Sequence, residues 1–474
     1  MVFIPTNCAV NPVTGKSQVM LMSEAQEIQM GKEYDPQVIA TFGEYKNDAL
    51  LSFITGKSTE IGKISHRPNL EWHVRIVDSP VVNAFAVPGG YIYFTRGILA
   101  HFNSEAELIG VLGHEMGHVT ARHSVSQQSK QQLGQLILIG GMIASEKFAQ
   151  YGEQAMQAMQ VLFMKFSRDN ERESDRLGVE YMTKVGYDGN SMAEFFEVLN
   201  KMSMGDEQGG IPTFLSTHPN PAARNATVKK LTKVWQDSIS RPDWKVNSDN
   251  YLKMIDGLIY GEDPRQGYTE GNVFYHPELK FRFTYPTGWQ FKNSPMQVAT
   301  APKDGKAMII FSLAQQKTAE EAAQAAIKQY GLTVTDTKNV TVNGLPAIAV
   351  LGQQVSKDQA TGQQTAALQV LSFYISYGGL VYVFHGVSTE PDFKTYQPAI
   401  ESTLSSFAPL NDLSKLNVKP KKVIVRKVDK PGNLSQVFAS LGVPQSQMKE
   451  LALLNNLELN SEIPAGKLIK IIGE

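Results

Sequence analysis

The sequence predicts a multidomain chain. A mainly α-helical first domain holds a small β-sheet, an α+β domain follows, and a small strand–helix–helix–strand (βααβ) module comes last. Three observations predict this. The chain has 474 residues, which at roughly 150 residues per domain suggests about three domains. Apolar residues recur at helical spacing from about 17 to 260, then switch to strand alternation with hairpin turns from about 268 to 412. A linker rich in Lys, Leu and Asn at 411–422 precedes a third, shorter pattern. The domains read as 1–262, 263–412 and 413–474.

Composition narrows the function classes. Hydrophobic residues at 42% and charged residues at 19% exclude wholesale disorder. Lys+Arg 45 against Asp+Glu 46 leaves a net charge of -1, so no global field favours nucleic acid or an anionic membrane. The single cysteine, Cys8, cannot form an internal disulfide, so buried apolar area must hold the fold.

The start, MVFIPTN, lacks the basic region and apolar core of a complete signal peptide, which alone favours the cytosol. Ser23 to Gln26 reads as a capping box that opens a helix. Glu71–Val77 and Tyr91–Thr95 alternate like strands, and between them Asn83–Gly90 is strand-like and ends in a Pro-Gly turn. Ser104 to Glu107 is a second capping box. Between about Ser124 and Phe166 the chain is rich in Gln and Met around an apolar run, Leu133–Ala144. That run falls short of the roughly 20 residues a transmembrane helix needs, so no membrane span is expected and a buried or interfacial segment is. Adaptable methionines there suit either a core or contact with a membrane or outer-membrane partner.

In the second domain Leu279–Tyr285 and Met308–Leu313 read as strands, and Thr318 caps an Ala-rich helix to Tyr330. Asn343-Gly344 and Gly378-Gly379 read as hairpin turns, and a helix is expected from about Asp392 to Ser406. His276 and His385 stand isolated, and no catalytic cluster is visible. In the last module Val423–Val428 and Leu468–Ile472 flank helices Leu434–Leu441 and Gln445–Asn455, with leucines 451, 453, 454 and 457 as core.

The chemistry lies in His114-Glu115-Met116-Gly117-His118. Histidines four apart share one face of a helix, so both imidazoles can reach one metal ion. Glu115 can hydrogen-bond a water on that metal and take its proton once zinc has lowered the water's pKa towards 7. Leu108, Val111 and Leu112 make the helix a buried one, and buried histidines beside a buried glutamate are costly unless something pairs them. Gly110, Gly113 and Gly117 form a stripe at helical spacing, each about 1 kcal/mol worse than alanine, which suggests the close approach of another backbone.

A third ligand is needed. Glu171 and Asp175 lie four apart in Ser167–Gly178, so one carboxylate can bind the metal and the other can orient a ligand imidazole. Glu173 competes with Glu171 but faces another side of a helix. His123, five after His118, lies off the ligand face and is expected to be structural or solvent-facing.

HEMGH, followed some 50 residues later by Ser-Arg-x-x-Glu-x-Glu-x-Asp, resembles the HtpX/Ste24-type zinc metallopeptidases, and within them the soluble bacterial branch of BepA-like periplasmic proteases. Asn83–Gly90 and Ser216-Thr-His218-Pro219 with Arg224 are similar to that family too. The resemblance covers roughly residues 17 to 240. It implies a zincin-type domain that binds one zinc ion per chain. His114, His118 and Glu171 are implied as ligands, Glu115 as general base and Asp175 as the group behind a ligand. Ser174 stands where the family usually has alanine. His218 and Arg224 are implied near the metal, where they could stabilise an oxyanion. In latent members the loop with this histidine instead fills the open zinc position. Asn83, Ala84, Phe85 and Ala86 are implied as an edge strand that pairs with substrate backbone. Cys8-Ala-Val-Asn-Pro-Val-Thr-Gly resembles the mature start of lipoproteins in this family, which implies the bacterial periplasm or envelope with a lipid anchor at Cys8.

The terminal module resembles a LysM module over about 50 residues, although Asp429–Leu434 matches the usual Gly-Asp-Thr-Leu turn only loosely. The leading expectation is a zinc-dependent endopeptidase that acts on protein or peptide substrates in envelope quality control, with peptidoglycan or an outer-membrane assembly partner nearby. A latent or non-catalytic chaperone or scaffold, and a cell-wall-binding protein, are the alternatives.

Overall fold

The computed structural model describes residues 8–129, 166–205, 213–218, 221–357 and 364–474. The apolar run Leu133–Ala144 and Met156, Met159 and Met164 lie outside them. The described chain forms two compact units, which divide at Glu262/Asp263 and Pro420/Lys421.

The first unit begins with a hairpin, β1 (Cys8–Val10) and β2 (Ser17–Val19), and two helices, α1 (Glu24–Phe42) and α2 (Asp48–Ile64). Ser23 and Gln26 complete the capping box at α1. β3 (His73–Val77), β4 (Ala84–Val87) and β5 (Tyr91–Thr95) make a sheet in the order β3-β5-β4, parallel between β3 and β5 and antiparallel between β5 and β4. β4 is therefore an edge. Both faces of this sheet are covered. Phe85, Val87 and Tyr93 pack with Val38 of α1, and Ala84, Ala86, Ile92 and Phe94 join the main core.

The main core is built on helices: α3 (Arg96–His101), α4 (Glu105–Thr120), α5 (Arg168–Lys184), α6 (Asn190–Gly205), α7 (Thr213–Thr217), α8 (Pro221–Ser238) and α9 (Ser248–Ile255). All sixteen residues of α4 are buried. In the glycine stripe Gly110 faces Met192 of α6, while Gly113 and Gly117 face α5. A Cβ on Gly113 would lie 3.1 Å from Gly178 Cα, and one on Gly117 3.1 Å from Ser174 Cα. Two helix backbones meet here almost in contact, which only hydrogen side chains allow. No described helix is long and apolar enough to cross a membrane.

Among its described residues, the second unit has two antiparallel sheets and two helices longer than four residues. Strands β6 (Tyr268–Glu270), β7 (Val273–His276), β8 (Phe281–Thr284), β9 (Gln290–Asn293), β10 (Gln297–Ala301) and β11 (Ala307–Leu313) lead to helix α10 (Ala319–Tyr330). β12 (Thr333–Val342), β13 (Leu345–Lys357), β14 (Gln364–Tyr377) and β15 (Leu380–Thr389) follow, then helix α11 (Glu390–Leu404) and β16 (Ala408–Pro409). The sheet orders are β12-β13-β14-β15-β11-β10-β9 and β16-β8-β7-β6. Asn343 and Gly344 both take positive φ, 48° and 83°, as a tight hairpin between β12 and β13 requires. The small alanines of α10 pack on one face of the large sheet, and α11 with the aromatic-rich small sheet packs on the other.

The last residues are β17 (Lys422–Lys427), β18 (Gly432–Asn433), α12 (Leu434–Ser440), α13 (Met448–Leu454), β19 (Glu462–Ile463) and β20 (Leu468–Gly473). The order is strand–helix–helix–strand, with β17 antiparallel to β20. The module has a core cluster of its own, from Val428 to Ile469, and Lys421–Glu474 packs as part of the first unit. The physical reason is shared core and shared backbone bonds. Val423 lies in the main core with Leu453, Leu468 and Ile472 against it. Val423 N–H donates to Leu258 O and Gly257 N–H to Val423 O. Lys470, fully buried, donates from Nζ to Ala100 O and Phe102 O at 2.8 and 2.9 Å.

Candidate metal centre

Two helices supply most of the centre. Ser104 caps α4 by accepting from Glu107 N–H at 3.1 Å, while Glu107 reaches back to Asn103 N–H at 2.7 Å. This fixes the start of the helix that carries His114 and His118. α5, pressed against the glycine stripe, carries Glu171 and Asp175 on the face towards them. The end of α7 brings His218, which completes a buried cluster with His114, His118 and Glu171.

The ligand atoms are close. His118 Nε2 lies 3.1 Å from His114 Nε2, and His114 Nε2 lies 3.2 Å from His218 Nδ1. Glu171 Oε1 is 2.9 Å from His218 Nδ1 and 3.4 Å from His118 Nε2. Ligands about 2.0–2.1 Å from one tetrahedral ion lie about 3.3 Å apart. The donor set therefore fits a divalent cation. Three imidazole nitrogens converging this closely can share one cation.

Charge is arranged to match. Burial pushes His114 down to about 4, against the pull of its bond to Asp175, and burial holds His118 well below its ordinary value. Both rings are thus neutral with a lone pair to offer. Burial opposes charge on Glu171, but His218 and Arg224 outweigh it and keep the carboxyl well below its usual range. Burial likewise opposes charge on His218, and the carboxylates of Glu171 and Glu115 overcome it and raise its value. Burial pushes Glu115 up to about 7. Glu115 Oε1 has no hydrogen-bond partner among the described residues, with His218 Nε2 3.6 Å away.

The surrounding groups hold the ligands. Asp175 Oδ1 is 3.0 Å from His114 Nδ1. Arg224 grips both oxygens of Asp175, at 2.6 and 2.8 Å, and its Nη1 lies 3.0 Å from Glu171 Oε2. It stacks over Phe196, 4.2 Å from the ring centre. The guanidinium thus clamps the two carboxylates and is not directed at open space.

His123 departs from expectation. It is 1% exposed and so not solvent-facing, and its Nδ1 lies 3.0 Å from His118 Nδ1. Glu173, the competing ligand, is turned from the cluster and lies 3.1 Å from His123 Nε2. A continued helix would carry a residue five after His118 off the ligand face, but α4 stops at Thr120. Two aromatic walls were also unread. Phe166 lies over His118 with ring centres 4.0 Å apart, and Phe214 stacks on His218 at 4.5 Å.

Asn83, Ala84, Phe85 and Ala86 form the start of the edge beside α4, and all four are buried. Phe85 stacks on Tyr93 in the core. Asn83 N–H and O bond Thr95, and Val82 O accepts from Phe214 N–H at 3.1 Å. The helix that carries His218 is thereby tied to the strand.

Residues 56–232 match peptidase family M48. The mitochondrial metalloendopeptidase OMA1 of Arabidopsis thaliana is 36% identical over 166 residues, 34% of this chain and 32% of that one. The beta-barrel assembly-enhancing protease of Escherichia coli K12 is 26% identical over 226 residues, 46% of each chain. A putative beta-barrel assembly-enhancing protease of Vibrio cholerae is 34% identical over 154 residues, 30% of this chain and 31% of that one. The chain spans less than half the length of each of these relatives. Among solved structures, the cyanobacterial PsbP of Synechocystis gives a TM-score of 0.25 at 12% identity, covering 30% of this chain and 94% of its own.

Proposed function

We propose, from the premise that this chain carries a peptidase family M48 domain at residues 56–232, that it is a zinc-dependent endopeptidase of protein substrates. The observation that carries this is the convergence of His114, His118 and Glu171 with Glu115 beside them. His114, His118 and Glu171 would hold one zinc ion. The bound ion supplies Lewis acidity, which activates a water and polarises the scissile carbonyl. Glu115 is positioned to accept the water's proton and return it to the leaving amine. Asp175 and Arg224 keep His114 and Glu171 in place. The backbone of Asn83–Ala86 would take an extended substrate as an added strand.

His218 supports a latent resting form. Its Nδ1 sits among the ligand atoms, where a substrate carbonyl must come, and Phe214 N–H already bonds the segment before the edge strand. Withdrawal of the α7 segment is then required before cleavage. Names of the relatives support work in envelope protein quality control, near outer-membrane assembly and outside the cytoplasm. The strand–helix–helix–strand order supports a LysM-like module, and a lipid anchor at Cys8 fits the same location.

The test is casein cleavage by the purified chain with and without a chelator, beside Glu115→Gln and His218→Ala. We expect chelator and Glu115→Gln to abolish cleavage, and His218→Ala to raise it. Cleavage by Glu115→Gln at the wild-type rate refutes the mechanism. No cleavage by any form, with zinc bound, favours the scaffold reading.

A further inference from the structure

Resting on the reading of a metal centre, we propose that His123 and Glu173 form a relay that fixes the tautomer of His118 and so points its lone pair at the metal. His123 is a positioning residue: it touches a ligand and not the metal.

The argument runs through proton positions. His118 faces the cluster with Nε2, so it can bind a metal only if its single ring proton sits on Nδ1. That N–H needs an acceptor. The atom in reach is His123 Nδ1 at 3.0 Å. His123 Nδ1 accepts only if the proton of that ring is on Nε2. Glu173 Oε2, 3.1 Å from Nε2, is an acceptor and selects that tautomer. Ser174 Oγ, 3.4 Å from His123 Nδ1, is a second donor aimed at the same lone pair. The chain of donors is thus His118 to His123 to Glu173, with one consistent proton arrangement. His114 reaches the same state directly, through Asp175. The two ligands of α4 are locked by two different devices.

The backbone makes this contact possible. α4 ends at Thr120, and Arg122 takes a left-handed φ of 56°. That conformation is uncommon for a residue with a side chain. It is held by Arg122 Nε, which donates to Glu27 Oε2 at 2.8 Å, and by Nη2, which donates to Met22 O at 3.0 Å. The turn swings His123 back against His118. Glu27, itself buried, also bonds Arg67, which donates to Val119 O at the end of α4.

The test is zinc affinity of the full chain, measured by competition with a chromogenic chelator, together with the visible spectrum of the cobalt form. Loss of a group behind a ligand costs about 10- to 100-fold in metal affinity. His123→Phe is expected to weaken zinc by that amount and to alter the cobalt bands. His123→Asn keeps an acceptor near the Nδ1 position and should recover most of the affinity. Glu173→Ala leaves the ring in place and should weaken zinc about tenfold; it decides the question if His123→Phe does not fold. Wild-type affinity and cobalt bands in either folded variant overturn the proposal, as does an equal loss in His123→Asn and His123→Phe. A wild-type chain that binds no zinc instead overturns the metal centre itself.

Discussion

Ser372 and His385 face each other across β14 and β15, both buried, with Ser372 Oγ 2.8 Å from His385 Nδ1. Tyr330 and Tyr374 crowd the ring with centres 5.4 and 6.0 Å away. Burial pushes His385 down to about 4. The unfolded chain takes a proton on this ring near 6.5. Between these values the unfolded state binds more protons, so stability falls as pH drops from about 6.5 to 4. One group with this shift contributes about 3 kcal/mol at most. His385→Leu is therefore expected to melt less steeply with acid than the wild type, measured by thermal unfolding at pH 7 and 4.5. Equal acid sensitivity would show that the ring is protonated in place. At this scale the sequence was informative where chemistry repeats at helical spacing. His114, Glu115 and His118 could be named from their own pattern, while Glu171 and Asp175 needed the family resemblance. His123 could not be named, because its position depends on a left-handed arginine, and arginine has no preference for that conformation. A sequence signal did exist in hindsight: a basic residue just after a buried helix needs an acid, and Glu27 is far away in the chain.

Helices α4 and α5 form the rigid part of the centre. Their contact rests on Gly113 against Gly178 and Gly117 against Ser174. A larger side chain at 113 must push α5 outward, and α5 carries Glu171 and Asp175. Overpacking of this kind typically costs about 1–3 kcal/mol. Gly113→Val is expected to lower the melting temperature and to weaken zinc binding together, since both depend on one spacing. A normal melt with normal zinc affinity would mean that α5 can yield without moving its carboxylates. The stripe was visible as a cost in helix propensity, and its cause was inferable as a close neighbour. Which helix fills the role was not inferable, because periodicity within one helix says nothing of its partner. That Asn83–Ala86 form an edge was implied by the family resemblance and not by their own pattern. The burial of β4 on both faces was legible, since Ala84–Val87 lacks the polar alternation that marks an exposed face.

The first unit is assembled from two stretches far apart in the chain, one ending at Glu262 and one beginning at Lys421. Lys470 lies on β20, and its amine satisfies two carbonyls at the junction of α3 and α4. Burial lowers its value to about 7, with Glu107 opposing. Without it two buried carbonyls lose their donor, at about 1–3 kcal/mol for each unsatisfied group. Lys470→Met is therefore expected to lower the denaturant midpoint of the full chain. A chain ending at Pro420 should be less stable still, although it keeps every residue of the metal centre; an unchanged midpoint would show that the module is dispensable to the core. Local patterns found the module's strands and helices but gave no hint of where they dock, because docking depends on pairs 368 and 370 residues apart. Such pairs have a biosynthetic meaning. The first hundred residues leave the ribosome long before their closing strand has been made. Until β17 has been made, the backbone at 257–260 lacks the partners it has in Lys421 and Val423. Completion of the first unit is in this way a late event in synthesis, since it waits for Lys421–Glu474.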